Sequence, residues 1–292
     1  MRARVIVLGD VMLDVVVQPT GAPAPTSDTP ANIRASRGGS GANVAVALHS
    51  SGHDVAYIGA RGDDAAGDVF ADALVASGVT PLLETVNSPT GTVVSVVSSD
   101  GQRSMMSDRG ANSSLSEAFV RAQLEDHFDH LHVSGYVLLD PATRSVGVNA
   151  LLLARERGVA SSVDVCSVGP LRIVTPEVFL EATSATTQLF ANEEEALALS
   201  ASSDVDLALD LLCLRFGEVV VTRGGQGALA GVLAKRFRVP SVANKVLDTT
   251  GAGDAATGAY LGARLSGEAP LEALERAMDA AAKVVGGLGA LG

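Results

Sequence analysis

The stretch Asp248-Thr249-Thr250-Gly251-Ala252-Gly253-Asp254, followed by Ala255-Ala256-Thr257-Gly258-Ala259-Tyr260-Leu261, carries the most information in this chain. Its glycines let the backbone turn tightly and approach a ligand closely. The residues after the turn open a helix, and the first amides of a helix are unpaired and partially positive. A carboxylate, Asp254, then falls in the first turn, where the helix dipole favours its ionised form. Such a turn can hold a phosphoryl group while the carboxylate deprotonates a hydroxyl beside it. On spacing alone it reads equally well as an ordinary Gly-rich turn with a capping Asp. Further along, Gly258, Gly262 and Ser266 recur every four residues and give the helix a smooth face for close packing.

Outward from this stretch, short β-like runs alternate with helical segments. Val5-Ile6-Val7-Leu8, Val55 to Ile58, Leu131 to Ser134 and Val219-Val220-Val221 read as strands. Gly41 to Ser51, Ala65 to Ser77, a helix capped by Ser114 and Glu117, and two closing helices near 255–266 and 271–285 read as helices. Asp140-Pro141 and Thr175-Pro176 have the form of helix starts. This alternation predicts an α/β fold of three layers, α/β/α, around a mostly parallel central sheet. Two stretches break the pattern. Gly91 to Ser98 leads through Asp100-Gly101 into Arg103 to Ser107, a strong hairpin signal. Val15 to Arg37 is irregular, with prolines at 19, 23, 25 and 30. Parts of 15–37 and 87–108 are expected to form a small β-flap, or lid, on a single domain spanning 1–292.

The 292 residues are 47% hydrophobic and 18% charged, which excludes a disordered chain. A net charge of −12 argues against a nucleic-acid partner, which selects a basic face. No apolar run approaches the ~18 residues a membrane span needs, and no signal peptide is visible, so a cytoplasmic location is expected. Cys166 and Cys213 read as two buried thiols rather than a disulfide framework. Lysine is scarce: Lys235, Lys245 and Lys283 are the only three, and none follows a glycine run, so the P-loop is absent.

Two further stretches bear on chemistry. Arg37-Gly38-Gly39-Ser40-Gly41-Ala42-Asn43 places an amide near a helix start, where it can hold a polyol hydroxyl as donor and acceptor together. Gly9-Asp10-Val11-Met12-Leu13-Asp14 places two carboxylates just past a buried strand, the usual position for ligand contacts in open α/β sheets. Asp10 reads equally as a turn residue.

Taken in order, Gly38-Gly39 with Asn43 and Ala45, then Asp248-Thr249 with Gly251-Ala252-Gly253-Asp254, resemble the two signatures of the ribokinase-like (PfkB) carbohydrate kinases. Asp14, Gly62-Asp63-Asp64 with Gly67, Asn192 with Glu195, and Val221-Thr222 with Gly224-Gly225 and Gly227-Ala228 extend the likeness over the whole chain. The resemblance implies an ATP- and Mg²⁺-dependent kinase of a small sugar or, as the runner-up, of a nucleoside. It implies Asp254 as general base and the amides of Gly251, Ala252 and Gly253 as an anion hole. Asp14, Gly39 and Asn43 would bind substrate hydroxyls; Asn192, Thr222, Gly225 and Gly227 would border the nucleotide. Glu195 would organise Mg²⁺ through water. In members activated by K⁺, Asp248 and Thr250 supply oxygen ligands, with Gly289-Ala290 resembling the loop that completes that site. Flaps in this family often pair between subunits, so a homodimer through the lid is expected.

The resemblance has departures. Close ribokinases carry Asn where this chain has Met12, and Lys in the glycine motif where it has Ser40. Ribose specificity is therefore not implied, and Asp164 to Pro170 matches no substrate-specific loop. Arg103 and Arg109, on or beside the hairpin, read as solvated surface residues or as contacts for an anionic sugar acid, and Asp140 as a helix cap or a substrate contact. His49 and His53 read as surface residues. His127, His130 and His132 lack the partners of a metal site. Gly287 to Gly292 satisfies GxGxxG without the following helix that a dinucleotide site needs. A non-catalytic sugar-binding regulator on the same fold is the rival from another class.

Overall fold

The computed structural model describes residues 2–22, 24–97, 103–243 and 249–286. The strands, in chain order, are β1 (Arg4–Leu8), β2 (Met12–Pro19), β3 (Ala31–Gly38), β4 (Asp54–Gly62), β5 (Thr80–Val86), β6 (Gly91–Val97) and β7 (Arg103–Asp108). They continue with β8 (His130–Ser134), β9 (Ala160–Asp164), β10 (Gln188–Asn192), β11 (Glu218–Thr222), β12 (Ala228–Val232) and β13 (Lys235–Val239). Nine form one sheet in the order β13-β12-β11-β10-β9-β8-β1-β4-β5. From β11 to β5 every neighbour is parallel, and β12 and β13 add antiparallel at one edge.

The strands' apolar residues explain the layers. Successive side chains of a strand point to opposite faces. Ile6 and Leu8 of β1 enter one core, with Leu131, Val133, Val163, Leu189 and Val219. Val5 and Val7 enter the other, with Val55, Tyr57, Phe190, Val220 and Tyr260. A strand buried on both faces must be covered on both, and helices do this. Glu117–Gln123, Arg144–Glu156 and Val205–Cys213 cover the first face; Ser40–Ser50, Ala65–Ala76, Ala252–Leu265 and Pro270–Val285 cover the second. The expected three-layer α/β/α fold is the observed one.

The two interrupting stretches meet in a second sheet, order β3-β2-β6-β7. β2 pairs antiparallel with β3 and parallel with β6, and β6 pairs antiparallel with β7. The expected hairpin is present, although its Asp100-Gly101 turn lies outside the described residues. The irregular reading of 15–37 is corrected: two eight-residue strands occupy most of it. Pro19 ends β2, so it costs the ladder little.

Other starts shift. The helix cap expected at Ser114 is Ser116, whose hydroxyl accepts from Phe119 N. Asp140 does not cap the Arg144–Glu156 helix, whose N-cap is Thr143; its Oδ1 accepts from Ala142 N in the preceding turn. His53, expected at the surface, is buried: Nδ1 accepts from Ala3 N, so Nε2–H donates to Gly262 O at 2.8 Å.

One packing feature positions the site. The small residues of the Ala252–Leu265 helix let it lie close on Ser40–Ser50. A Cβ at Gly258 would fall 2.5 Å from Ala47 Cβ, and one at Gly262 would fall 2.6 Å from Ser51 Cβ. This brings the N-terminal ends of the two helices together.

Candidate active site

Gly251 begins the closing helix with φ 77°, a left-handed conformation natural to glycine. Ala252 N donates to Thr249 O at 3.2 Å and Ala255 N to Gly251 O at 2.9 Å. The first-turn amides of Gly253 and Asp254 lack intrahelical partners. Of the three amides expected to form an anion hole, the Ala252 amide is therefore engaged within the turn. Asp248 lies outside the described residues, as do Gly289-Ala290 and the terminal GxGxxG; Thr250 stands in the turn before the helix.

Asp254 meets the second glycine motif across the helix pair. Ser40 Oγ donates to its Oδ1 at 2.7 Å, and Asn43 Nδ2 donates to its Oδ2 at 2.8 Å. Asn43 Oδ1 accepts from Arg37 Nη1 at 3.1 Å. Burial pushes the Asp254 carboxyl above its ordinary pKa, while Ser40, Asn43 and the Arg37 charge pull it back. Gly39 has φ 97°, and a Cβ there would fall 2.5 Å from Asp10 O, so the turn requires glycine. Asn43, expected to bind a substrate hydroxyl, has both ends of its amide engaged by protein groups.

Asp14 does not follow β1 as a loop residue. It stands on β2, in the second sheet, opposite Ser36 of β3. Its carboxylate lies over Gly38, where a Cβ would fall 2.0 Å from Oδ1. Burial, with the nearby Asp254 charge, pushes Asp14 up to about 6 against the pull of Arg37. The second sheet therefore delivers Asp14 and Arg37 to the same place as Asp254.

On the other side of Asp254 lies a cavity of about 90 Å³. Asp164, Glu195, Asp254 and Thr257 contribute its polar wall, at the C-terminal ends of the parallel strands β9 and β10 and the start of the closing helix. Thr257 Oγ1 donates to Asp164 Oδ2 at 2.9 Å. Asn192 and Thr222 are paired residues ending β10 and β11. Asn192 and Glu195 form a reciprocal capping box: Asn192 Oδ1 accepts from Glu195 N, and Glu195 Oε2 from Asn192 N, both at 2.9 Å. Burial, and the proximity of other carboxylates, raise both Asp164 and Glu195. Gly225 stands in the turn after β11, and Gly227 closes it with φ 86°.

Asp164 and Cys166 were not among the expected site residues. Cys166 has φ 71°, and its thiol lies 3.3 Å from Ser134 Oγ and 3.5 Å from Ser40 Oγ. The strand-end position of Asp164 was the signal that could have found it. Both cysteines are free and half-buried rather than fully buried.

Arg109 is not a solvated residue. It holds Asp10 bidentately, at 2.6 and 2.9 Å, and Asp140 at 2.6 Å through Nε. Asp10 and Asp140 thus act as its partners. Asn112 clamps the neighbouring segment: Oδ1 accepts from Val11 N at 2.7 Å, and Nδ2 donates to Val11 O at 2.9 Å.

A parallel α/β sheet with a cleft at its strand ends, a Gly-rich helix start and a carboxylate in that first turn define the architecture of a ribokinase-like phosphotransferase. The pfkB carbohydrate kinase family profile matches residues 2–291, and the chain belongs to this family. It is 33% identical over 300 residues to the bifunctional protein HldE of Shewanella amazonensis, covering 99% of this chain and 61% of that protein. The chain thus spans about three fifths of such relatives. It is 29% identical over 266 residues to fructokinase-1 of Oryza sativa subsp. japonica, covering 88% and 81%. Among solved structures it resembles the adenosine kinase of Sinorhizobium meliloti (26% identity, TM-score 0.88, coverage 99% and 96%). It also resembles an Arabidopsis thaliana ribokinase complexed with ribose and ATP (25%, TM-score 0.83, 99% and 95%). Among the described residues, no helix is long and apolar enough to cross a membrane.

Proposed function

We propose that this chain transfers the γ-phosphoryl group of ATP to a hydroxyl of a small sugar or sugar derivative. The observation that carries this reading is the half-buried Asp254 carboxylate in a helix's first turn, between a polar cavity on one side and Asp14 on the other. Asp254 takes the proton of the acceptor hydroxyl as its oxygen attacks the γ-phosphorus, and ADP leaves with the bond electrons. The amides of Gly253 and Asp254 offer hydrogen bonds to the charge on the transferring group. Asp14 and Gly39 face the sugar, and Asn43, whose amide bonds Arg37 and Asp254, stands beside them; Asn192, Thr222, Gly225 and Gly227 border the nucleotide.

Among the described residues no cluster of three or more His, Cys, Asp or Glu could hold a metal directly. The carboxylates of Asp164 and Glu195 on one cavity nevertheless fit Mg²⁺ held through water. Bound there, Mg²⁺ would neutralise phosphate charge. K⁺ dependence, through Asp248 and Thr250, is part of the same reading. The second sheet acts as the lid of a single domain and excludes water, which competes as acceptor. Ile33 and Met105 on it are 63% and 66% exposed, which supports a homodimer through the lid.

A nucleoside acceptor is the second reading, favoured by the likeness to an adenosine kinase. The four lid strands contain no Phe, Tyr or Trp to stack on a base, which favours the sugar. ADP release over sugars, sugar acids and nucleosides, with and without K⁺, tests the choice. Turnover on none of them would return weight to a non-catalytic sugar-binding protein. Asp254→Asn should lower kcat at least ~10²-fold while ATP still binds. Near-normal turnover would remove the base assignment.

A further inference from the structure

Both oxygens of Asp254 are held by one seven-residue segment, Arg37 to Asn43. Each holding group is itself directed. Arginine has no acceptor, so the Asn43 atom facing Arg37 must be its oxygen, and the atom facing Asp254 must be its NH₂. A flipped amide would set an oxygen against a carboxylate and a donor against a guanidinium. Ser40 is directed by the carboxylate itself. An ionised carboxylate only accepts, so the Ser40 hydrogen goes to Asp254 Oδ1, while the Cys166 thiol lies 3.5 Å from Ser40 Oγ and 3.4 Å from Asp164 O. Burial pushes the thiol far up, so it remains a donor.

We propose that Ser40 and Asn43 are positioning residues that clamp the Asp254 carboxylate in plane and in its ionised form, and that Arg37 ties this clamp to lid strand β3. The proposal rests on Asp254 being the general base. A protonated Asp254 would turn a donor toward a donor, so the clamp opposes protonation. A carboxylate offers about four acceptor sites, and the clamp takes two, leaving others for the substrate hydroxyl. Arg37 is the penultimate residue of β3, and only Gly38 and Gly39 separate it from Ser40 at the helix start. The chain of bonds therefore begins in the lid and ends on the base.

The test is kcat against pH, at saturating sugar and ATP, for the wild type and the variants Ser40→Ala, Ser40→Thr and Arg37→Met. Asp254 is faced by Asp14 from β2, Arg37 from β3, Tyr57 from β4 and Tyr136 from the segment after β8. Asp164 and Cys166 approach from the end of β9, and Glu195 from the helix after β10. Ser40→Ala leaves all of these groups in place. It should lower kcat ~10-fold and move the acid limb up by about one pH unit, because a hydrogen bond to the ionised form is lost. Ser40→Thr keeps the hydroxyl and should recover kcat to within ~3-fold of the wild type. Arg37→Met should move the limb in the same direction, and the KM for ATP should stay put in every variant. An unmoved limb in Ser40→Ala overturns the proposal, whatever happens to kcat. So does a Ser40→Thr enzyme no better than Ser40→Ala. Should Ser40→Ala fail to fold, an unmoved limb in Arg37→Met overturns it. Asp254→Asn, measured alongside, separates the two readings. If it turns over normally, the base assignment fails; if it is dead while Ser40→Ala is unshifted, only the clamp fails.

Discussion

Asp14→Asn should make the protein more stable and a poorer binder of sugar. Asp14 is held near pKa 6 by burial and the Asp254 charge, against an ordinary value of 3.8. A group whose folded pKa is raised contributes stability that is full below the unfolded value and is lost as pH rises through the folded one. At pH 7.5 the loss is complete, about 3 kcal/mol at 1.36 kcal/mol per pH unit. At pH 4.5 it is only about 1 kcal/mol, since Asp14 is then mostly protonated in the folded state. Asparagine has similar size and no charge, so it should recover up to about 3 kcal/mol at pH 7.5, less whatever Arg37 loses as its counter-ion goes. Urea titrations of both proteins at the two pH values measure this, with equal m-values required for the comparison. The same variant should raise the sugar KM at least ~10-fold and leave the KM for ATP within about twofold, as a lost charged hydrogen bond predicts. An Asp14→Asn protein less stable than the parent at pH 7.5 would refute the electrostatic argument. So would a gain that does not shrink toward pH 4.5. Equal losses of sugar and ATP affinity would refute the placement of Asp14 on the sugar side.

Three further outcomes follow from the geometry. Gly38→Ala puts a Cβ 2.0 Å from the present position of Asp14 Oδ1, so the carboxylate must move, and the sugar KM should rise while thermal stability changes little. His130 and His132 are buried, share the Ser162 hydroxyl at 2.9 and 2.8 Å, and are pushed down to about 3 by burial. Their folded forms refuse a proton that the unfolded chain takes up below 6.5, so stability should fall with acid by about 1.4 kcal/mol per pH unit for each. His132→Phe should make that slope shallower by one such increment between pH 6.5 and 5 in urea titrations; an unchanged slope counts against the burial argument. Glu195→Gln can keep the capping box, because Gln still accepts from Asn192 N. It should therefore cost less than about 1 kcal/mol of stability, while raising several-fold the Mg²⁺ needed for half-maximal activity; a Tm loss with an unchanged Mg²⁺ requirement would make Glu195 a cap alone.

What the linear sequence reveals here follows how local each feature is. β1, β4 and β11 contain apolar runs that are buried on both faces, and they read as strands directly. β9, Ala160-Ser161-Ser162-Val163-Asp164, does not. Its Ser162 tolerates burial only because His130 and His132 reach it from β8, a cross-strand bond with no signature in the order of residues. β3 hides for the opposite reason: most of it is exposed, so it lacks the alternation of a half-buried strand, and nearby prolines read as loop. The helix start at Gly251 and Asp254 is legible because turn, dipole and carboxylate sit within a few residues. Ser40 and Cys166 are not, because their contacts arise where two helices and a strand end converge. Arg109 illustrates the same limit, since its two carboxylate partners lie 99 and 31 residues away.

The Gly-rich helix start has a consequence for mutational scanning. The donors proposed there for an anion are main-chain groups, which no side-chain truncation removes. Ala252 is already alanine. A methyl group added at Gly253 meets no atom within 4 Å, so Gly253→Ala leaves the amide where it is. Gly251, with φ 77°, is the position at which alanine strains the turn itself. A scan of this segment would therefore mark Gly251 and Asp254 and pass over the groups between them, and the map it produced would understate the backbone's share of the site.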